Sequence, residues 1–182
     1  GSLGGSGTVL GAVTINASGA IIPGASGVGT LQTGGAVTLQ NGALLECQIN
    51  PFGAHGRVHA GGNLILNTDW TLRLTDGGGT ADLSDRIVFL TYGGILTTFG
   101  NWQIDASALD PTLWDASGAT IVNDYMNKSI YVTGIEYIGP RIEVDDVMVV
   151  EGDSGIVDAV FTITVSGGAE NVTVDFATAD GT

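Results

Sequence analysis

The sequence is poor in cysteine, in proline and in helical periodicity. Its 182 residues include one cysteine, Cys47, which excludes an internal disulfide. Leu45, Cys47 and Ile49 alternate with Glu46 and Gln48, so we expect the thiol to lie buried in a strand and to be inert. Only four prolines are present, and no segment keeps an apolar period of 3.6 residues for more than a turn or two. These features argue against a helical or a disulfide-stapled domain.

Basic residues are also scarce. Five Lys and Arg stand against 19 Asp and Glu, which gives a formal net charge of −14. This balance argues against nucleic acid and against anionic membrane surfaces as partners, since both need Lys and Arg. It is compatible with binding of divalent cations. No apolar run of 18 residues and no leader are visible, so we expect no membrane insertion by this segment and an export signal outside it.

Glycine and short apolar runs are abundant instead. The chain has 30 glycines and 43% hydrophobic residues, a composition typical of many tight turns between short strands. One six-residue motif occurs three times: GAVTIN at 11–16, GAVTLQ at 35–40 and GNLILN at 62–67. Offsets of 24 and 27 residues between strand-like copies are typical of stacked repeats, and they predict a β-solenoid.

Each copy contains two strands whose apolar residues can be aligned. The predicted columns of the first strand are Val13, Val37, Leu64 and Ile15, Leu39, Leu66. Those of the second strand are Ala20, Ala43, Trp70, then Ile22, Leu45, Leu72, then Gly24, Cys47, Leu74. One coil cannot bury its own apolar face, but stacking the next coil on it does. About 25 residues per turn favours a three-sided parallel coil, and two-strand hairpins are the alternative.

The pattern changes after residue 79, and we predict a closing part over residues 86–133. It contains strands at 86–92, 95–99 and 102–104, with Phe99 and Trp102 covering one end of the core. A hairpin is expected from strands 119–122 and 129–132. Residues 134–141, which include Gly139 and Pro140, form a predicted linker. Strands at 142–150, 157–165 and 172–177 follow in a region rich in acids.

The first region resembles the passenger-associated transport repeat of autotransporter-type bacterial surface proteins. The resemblance is carried over residues 8–75 by GAVTINASGAIIPG at 11–24, GTL at 29–31, GAVTLQ at 35–40 and GALLE at 42–46, and it extends more loosely to residue 133. It implies an all-β, right-handed parallel β-helix that is exported and non-catalytic. It also implies an extracellular or cell-surface location.

The second region resembles the N-terminal part of a Calx-beta domain. The matching residues are VMVVEGDSG at 147–155, FTITV at 161–165 and VTVDFATADGT at 172–182. This resemblance implies a truncated β-sandwich over residues 142–182 that binds Ca²⁺, with Glu151 and Asp180 at positions of family ligands. Asp145, Asp146 and Asp153 are further acids that could contribute to a cation site.

Two other motifs have simpler interpretations. GDSG at 152–155 matches the nucleophile segment of serine proteases, but four residues are a weak match, and a turn explains them. His55 and His59 lie four apart among glycines that prevent a helix, so a helical metal site is not expected.

Three functions remain open from the sequence. The first is a non-catalytic structural or adhesive segment of a large secreted bacterial surface protein, with cell-surface glycans or further copies of itself as partners. The second is a filament subunit joined by strand exchange at an open sandwich edge. The third is a carbohydrate-active β-helix, which would need a pair of carboxylates across a sugar groove.

Overall fold

The computed structural model describes residues 1–24, 28–49, 55–77, 86–150, 155–156, 158–167, 173–175 and 177. All regular elements in these ranges are β-strands, which confirms the predicted all-β class. No helix in them is long and apolar enough to cross a membrane. We number the strands along the chain.

Three sheets are built from strands three apart in the sequence. The first sheet contains β1 (Ser2–Gly5), β4 (Ala20–Pro23), β7 (Leu44–Ile49), β10 (Trp70–Asp76) and β13 (Trp102–Ala108), in that order. The third sheet contains β3 (Val13–Ile15), β6 (Val37–Leu39), β9 (Leu64–Leu66) and β12 (Leu96–Thr98). All neighbouring pairs in both sheets are parallel.

The second sheet combines parallel strands with an antiparallel end. Its parallel part contains β2 (Gly7–Val9), β5 (Thr30–Thr33), β8 (Arg57–Ala60) and β11 (Ile87–Tyr92). From β1 to β13 the chain therefore visits the first, second and third sheets in a fixed rotation. Each strand pairs with the strand three positions earlier, and successive turns of the chain lie beside one another.

The buried residues form columns across these parallel pairs. Val13 pairs with Val37 and Val37 with Leu64, as the repeat predicted. Alternate residues of each strand point inward, and Leu39, Leu64 and Leu66 have no exposed surface. Removal of this apolar surface from water is the main stabilising contribution to the stack.

Cys47 belongs to such a column, as predicted. It pairs with Leu74 in the first sheet and is fully buried. Burial raises the pKa of its thiol well above the ordinary value, with a smaller contribution from the charge of Glu46. The side chain is therefore a neutral core group rather than a nucleophile.

The first copy of the second-strand column was wrongly aligned by one residue. Ile21, not Ile22, pairs with Leu45, and Ala20 pairs with Leu44. Ile21 is fully buried, whereas Ile22 is only partly buried. The reason is a constant interval of six positions from an inward residue of the third sheet to one of the first: Ile15 to Ile21, Leu39 to Leu45, Leu66 to Leu72.

A fourth copy lies where the sequence predicted only closing strands. Residues 96–98 of β12 pair in register with 64–66 of β9, and Trp102 of β13 pairs with Trp70. The prediction that Phe99 covers the core is wrong, because 61% of its surface is exposed. Trp102 does lie against the core, with its ring centroid 6.2 Å from that of Trp70.

The turn between the third and first sheets repeats its backbone conformation in all four copies. Ser18, Gly42, Asp69 and Asn101 occupy equivalent positions with φ of 61°, 73°, 57° and 50°. Their backbones are joined in series: Ser18 N donates to Gly42 O at 3.0 Å, Gly42 N to Asp69 O at 3.0 Å, and Asp69 N to Asn101 O at 2.6 Å. Small polar residues and glycine tolerate this left-handed conformation best.

The turn between the second and third sheets requires glycine because adjacent copies approach closely. Gly61 N donates to Thr33 O at 2.7 Å, and a Cβ on Gly61 would lie 2.6 Å from that same oxygen. A Cβ on Gly93, in the next copy, would lie 2.5 Å from Gly61 O. The obstructing atoms are backbone, so a side chain cannot be accommodated by a rotamer change.

An antiparallel hairpin follows the stack, as the sequence predicted. Strands β15 (Thr120–Asp124) and β16 (Ser129–Thr133) pair with each other, and β16 pairs antiparallel with β11 at the end of the second sheet. Strand β14 (Trp114–Asp115) pairs with β17 (Glu136–Tyr137), which lies inside the predicted linker. The Trp114 ring is buried and meets Tyr137 edge to face at 5.1 Å.

The acidic region contains a two-stranded antiparallel ribbon, β18 (Arg141–Val144) with β19 (Ile163–Ser166). Both strands are shorter than predicted, since residues 145–150 and 158–162 are not in strands. The third predicted strand falls partly outside the described residues, and residues 173–175 are not in a strand. The predicted domain limits of 1–133 and 142–182 remain predictions.

We predict that Gly62→Ala destabilises the protein by about 1–3 kcal/mol, because its Cβ must displace backbone of the preceding copy. That Cβ would lie 2.9 Å from Ala36 N and 3.0 Å from Gly35 C. The free energy of unfolding from denaturant titration measures the effect.

Gly11→Ala is the matched control, since Gly11 holds the same place in the first copy and its Cβ would meet nothing within 4 Å. It should be neutral or stabilising by less than about 1 kcal/mol, because alanine restricts the unfolded chain. Equal losses in both variants would contradict the close-approach explanation.

Candidate functional site

The three predicted metal ligands, Glu151, Asp153 and Asp180, lie outside the described residues. Of the neighbouring acids, Asp145 and Asp146 are exposed. Asp145 Oδ1 accepts a hydrogen bond from Thr162 N at 2.7 Å, and its own N donates to Thr162 O at 3.2 Å. This carboxylate extends the β18–β19 ribbon by one pair, and the calcium site stays a prediction.

The described ranges contain no group of three or more His, Cys, Asp and Glu side chains that could hold a metal ion. The two histidines have separate contacts. His55 Nε2 lies 2.7 Å from Val88 O, and His59 Nδ1 lies 2.9 Å from Thr91 Oγ1. The pair therefore contacts different residues of the adjacent strand.

The outer face of the first sheet carries a charged row across three strands. The strand register places Arg73 of β10 between Glu46 of β7 and Asp105 of β13. Arg73 Nε donates to Asp105 Oδ2 at 2.8 Å, and its Nη1 lies 3.8 Å from Glu46 Oε2. Hydrogen bonds from Ser107 and then from Arg73 lower the pKa of Asp105 to about 2. Asp105 is therefore ionised at neutral pH.

The outer face of the second sheet carries a different row. Gln32 of β5 pairs with His59 of β8, and His59 pairs with Thr91 of β11. Arg57 lies two residues before His59 on β8, so both side chains point to the same face. Arg57 Nε donates to Val88 O at 3.2 Å, and its Nη2 lies 3.2 Å from His55 Nε2.

The hairpin end of this sheet is held by Arg86. Its guanidinium contacts Asp124 Oδ2 and lies 4.1 Å from the centroid of the Tyr131 ring. Asp124 also accepts hydrogen bonds from Asn127, which together with Arg86 lower the pKa of its carboxyl to about 2. These contacts fasten the turn between β15 and β16.

The tryptophans are not free to stack on sugars. Trp70 and Trp114 are buried, and Trp102 is partly buried against Trp70. The column that placed Trp70 in the core predicted this.

The sequence analysis did not predict the row of Gln32, His59 and Thr91 on the second sheet, although the spacing of its strands follows the repeat. Thr30 pairs with Arg57, an interval of 27 residues, and Gly7 pairs with Leu31, an interval of 24. These are the offsets of the GAVTIN-type copies. The strands share the repeat period but few residue types, so similarity of residues did not align them.

No protein-family model, curated protein or solved structure matches the chain.

Proposed function

We propose that the chain is a non-catalytic structural and adhesive segment of a large secreted bacterial cell-surface protein. Residues 1–133 would form a right-handed parallel β-helix whose outer faces serve as spacer and contact surface. The fixed rotation of the chain through three sheets, with a column of apolar side chains inside, is the observation that supports this. Such a stack exposes flat polar faces and encloses a dry core.

The charges on the first sheet favour this function over a carbohydrate-active enzyme. A glycosidase needs a carboxylic acid with a raised pKa beside a second carboxylate. Here Arg73 stands between Glu46 and Asp105, and the pKa of Asp105 is lowered. Asp105 therefore lacks the proton that a general acid must donate.

Incubation of the purified chain with a panel of neutral and acidic polysaccharides tests the proposal. We expect binding by at least one polymer without release of new reducing ends. Glu46→Gln and Asp105→Asn, which remove the paired carboxylates of the first sheet, serve as controls. Release of reducing ends that either substitution abolishes would overturn the non-catalytic function.

We further propose that the acidic region binds Ca²⁺ through Glu151, Asp153 and Asp180. Hard carboxylate oxygens suit this cation, and Glu151 and Asp153 lie two residues apart in the sequence, with Asp180 further along the same region. Calorimetric titration should show binding that Glu151→Gln with Asp180→Asn removes. Glu136→Gln, in β17 and outside the acidic region, is the control and should leave binding intact. Absence of heat with the unchanged chain, or equal binding by the double variant, would contradict the site.

A second candidate function is assembly of copies through the β18–β19 ribbon. The register places Ile142 opposite Val165 and Val144 opposite Ile163, so these four side chains share one face. Each is 43–57% exposed. An amphipathic two-stranded ribbon is marginal alone and is stabilised when another strand or sheet covers its apolar face. A ribbon from a second copy would provide that cover.

Sedimentation velocity over a range of protein concentrations tests this assembly. We expect oligomers of the unchanged chain that Ile163→Glu dissociates, because a charge would be buried in the apolar contact. Thr164→Lys places a charge on the opposite face of the same strand, across from Glu143, and should leave the oligomers intact. A monomer at every concentration would refute the candidate.

A further inference from the structure

Charge is separated between the two outer faces. The outer face of the first sheet carries two carboxylates and one guanidinium in register: Glu46, Asp105 and Arg73. The second sheet and the described residues adjoining its strands reverse this balance, with Arg57, Arg86 and Lys128 against Asp124. Within the part of the chain that the structure describes, the second sheet is a local basic surface in a chain of net charge −14.

Two cations of this surface lack a carboxylate partner among the described residues. Arg57 contacts Val88 O and His55, and neither group is an acid. Lys128 Nζ donates to Gly93 O at 2.7 Å and is exposed. By contrast, Arg73 and Arg86 have their charges matched by Asp105 and Asp124. Arg57 and Lys128 are therefore available to an external anion.

Hydrogen-bonding side chains accompany these cations at regular intervals. Gln32, His59 and Thr91 lie on three adjacent strands in register, about 4.8 Å from one strand to the next. Thr30 lies next to Arg57 in the same way. A linear polymer that runs across the strands would meet polar groups at this repeating distance, together with the charge of Arg57.

We propose that this outer face of the second sheet binds an acidic polysaccharide, with Arg57 contacting a carboxylate and Gln32, His59 and Thr91 contacting hydroxyl groups. The assignment rests on the proposed adhesive function and specifies its ligand class. A polymer with widely spaced carboxylates fits two unpaired cations. Duplex DNA, with one charge per about 1.7 Å, would be repelled by the rest of this acidic chain.

Binding of polygalacturonate to the full chain, measured by calorimetry at low salt, tests the assignment. Arg57→Gln should weaken binding by roughly tenfold, because a hydrogen bond to a charged group is lost. Arg73→Gln is the matched control, since Arg73 also lies on a central strand but on the outer face of the first sheet. It should leave the affinity unchanged. Added NaCl should weaken binding by the unchanged chain.

Lys128→Gln provides a second variant, because Arg57 also holds two internal contacts and its loss could unfold the chain. Lys128 lies at an exposed turn, and its substitution should reduce affinity without changing the melting temperature. The proposal would be overturned if the unchanged chain and both variants bound polygalacturonate with equal affinity. It would also be overturned if the unchanged chain bound polygalacturonate and neutral dextran equally well. Equally tight binding of a DNA duplex would overturn it too.

The outcomes also separate this site from the proposed function. Cleavage of bound polygalacturonate would refute the non-catalytic function and leave the site in place. Absence of binding to polygalacturonate, with another polysaccharide bound elsewhere, would refute the site and leave the adhesive function in place.

Discussion

In-register stacking of one turn of chain on the next is the constraint on which the rest of the structure depends. Parallel pairing fixes each strand against the strand three positions earlier. Because the strands of the third sheet pair without a register shift, inward side chains such as Val37 and Leu64 meet like side chains in the neighbouring copies. Backbone hydrogen bonds and apolar burial are therefore satisfied by the same contact, and neither can be lost without the other.

The two kinds of turn follow from that constraint. Where copies approach most closely, backbone atoms leave no room for a Cβ, and glycine is required at Gly61 and Gly93. Where the chain passes from the third sheet to the first, Ser18, Gly42 and Asp69 share one left-handed conformation and bond to the next copy. The turns thus keep each copy in register with the next. For the same reason, outward side chains of neighbouring strands lie in straight rows.

Sequence periodicity predicted the third sheet well because its inward residues are strongly apolar in three copies. It missed the fourth copy because Ile95 faces outward and is 70% exposed, while the inward position of Thr98 is polar. The match of Ala20 with Ala43 aligned Ile22 in place of Ile21 with Leu45, whereas in the structure Ala20 pairs with Leu44 and Ile21 with Leu45. Both errors, the missed fourth copy and the misaligned Ile22, concern the pairing register, which residue types do not encode directly.

In the acidic region, by contrast, the sequence predicted more strand than the structure contains. Alternating residues predicted long strands there, but a strand persists only where a neighbour pairs with it, and residues 146–150 have no such partner in the part of the chain described. The outer-face row of Gln32, His59 and Thr91 was likewise missed, because its strands share the repeat period but few residue types. Polar side chains on a strand identify an exposed face, and only the register shows that they form a line.

A distance between nitroxide labels placed at Thr14 and Thr97, measured by electron paramagnetic resonance, tests the stacking most directly. These residues occupy equivalent outward positions on the first and fourth strands of the third sheet. Stacking in register predicts a narrow distribution near 15 Å, about three strand spacings, although 83 positions separate the two in sequence. A broad distribution, or one centred beyond about 30 Å, would contradict it, since six strand spacings would already be exceeded.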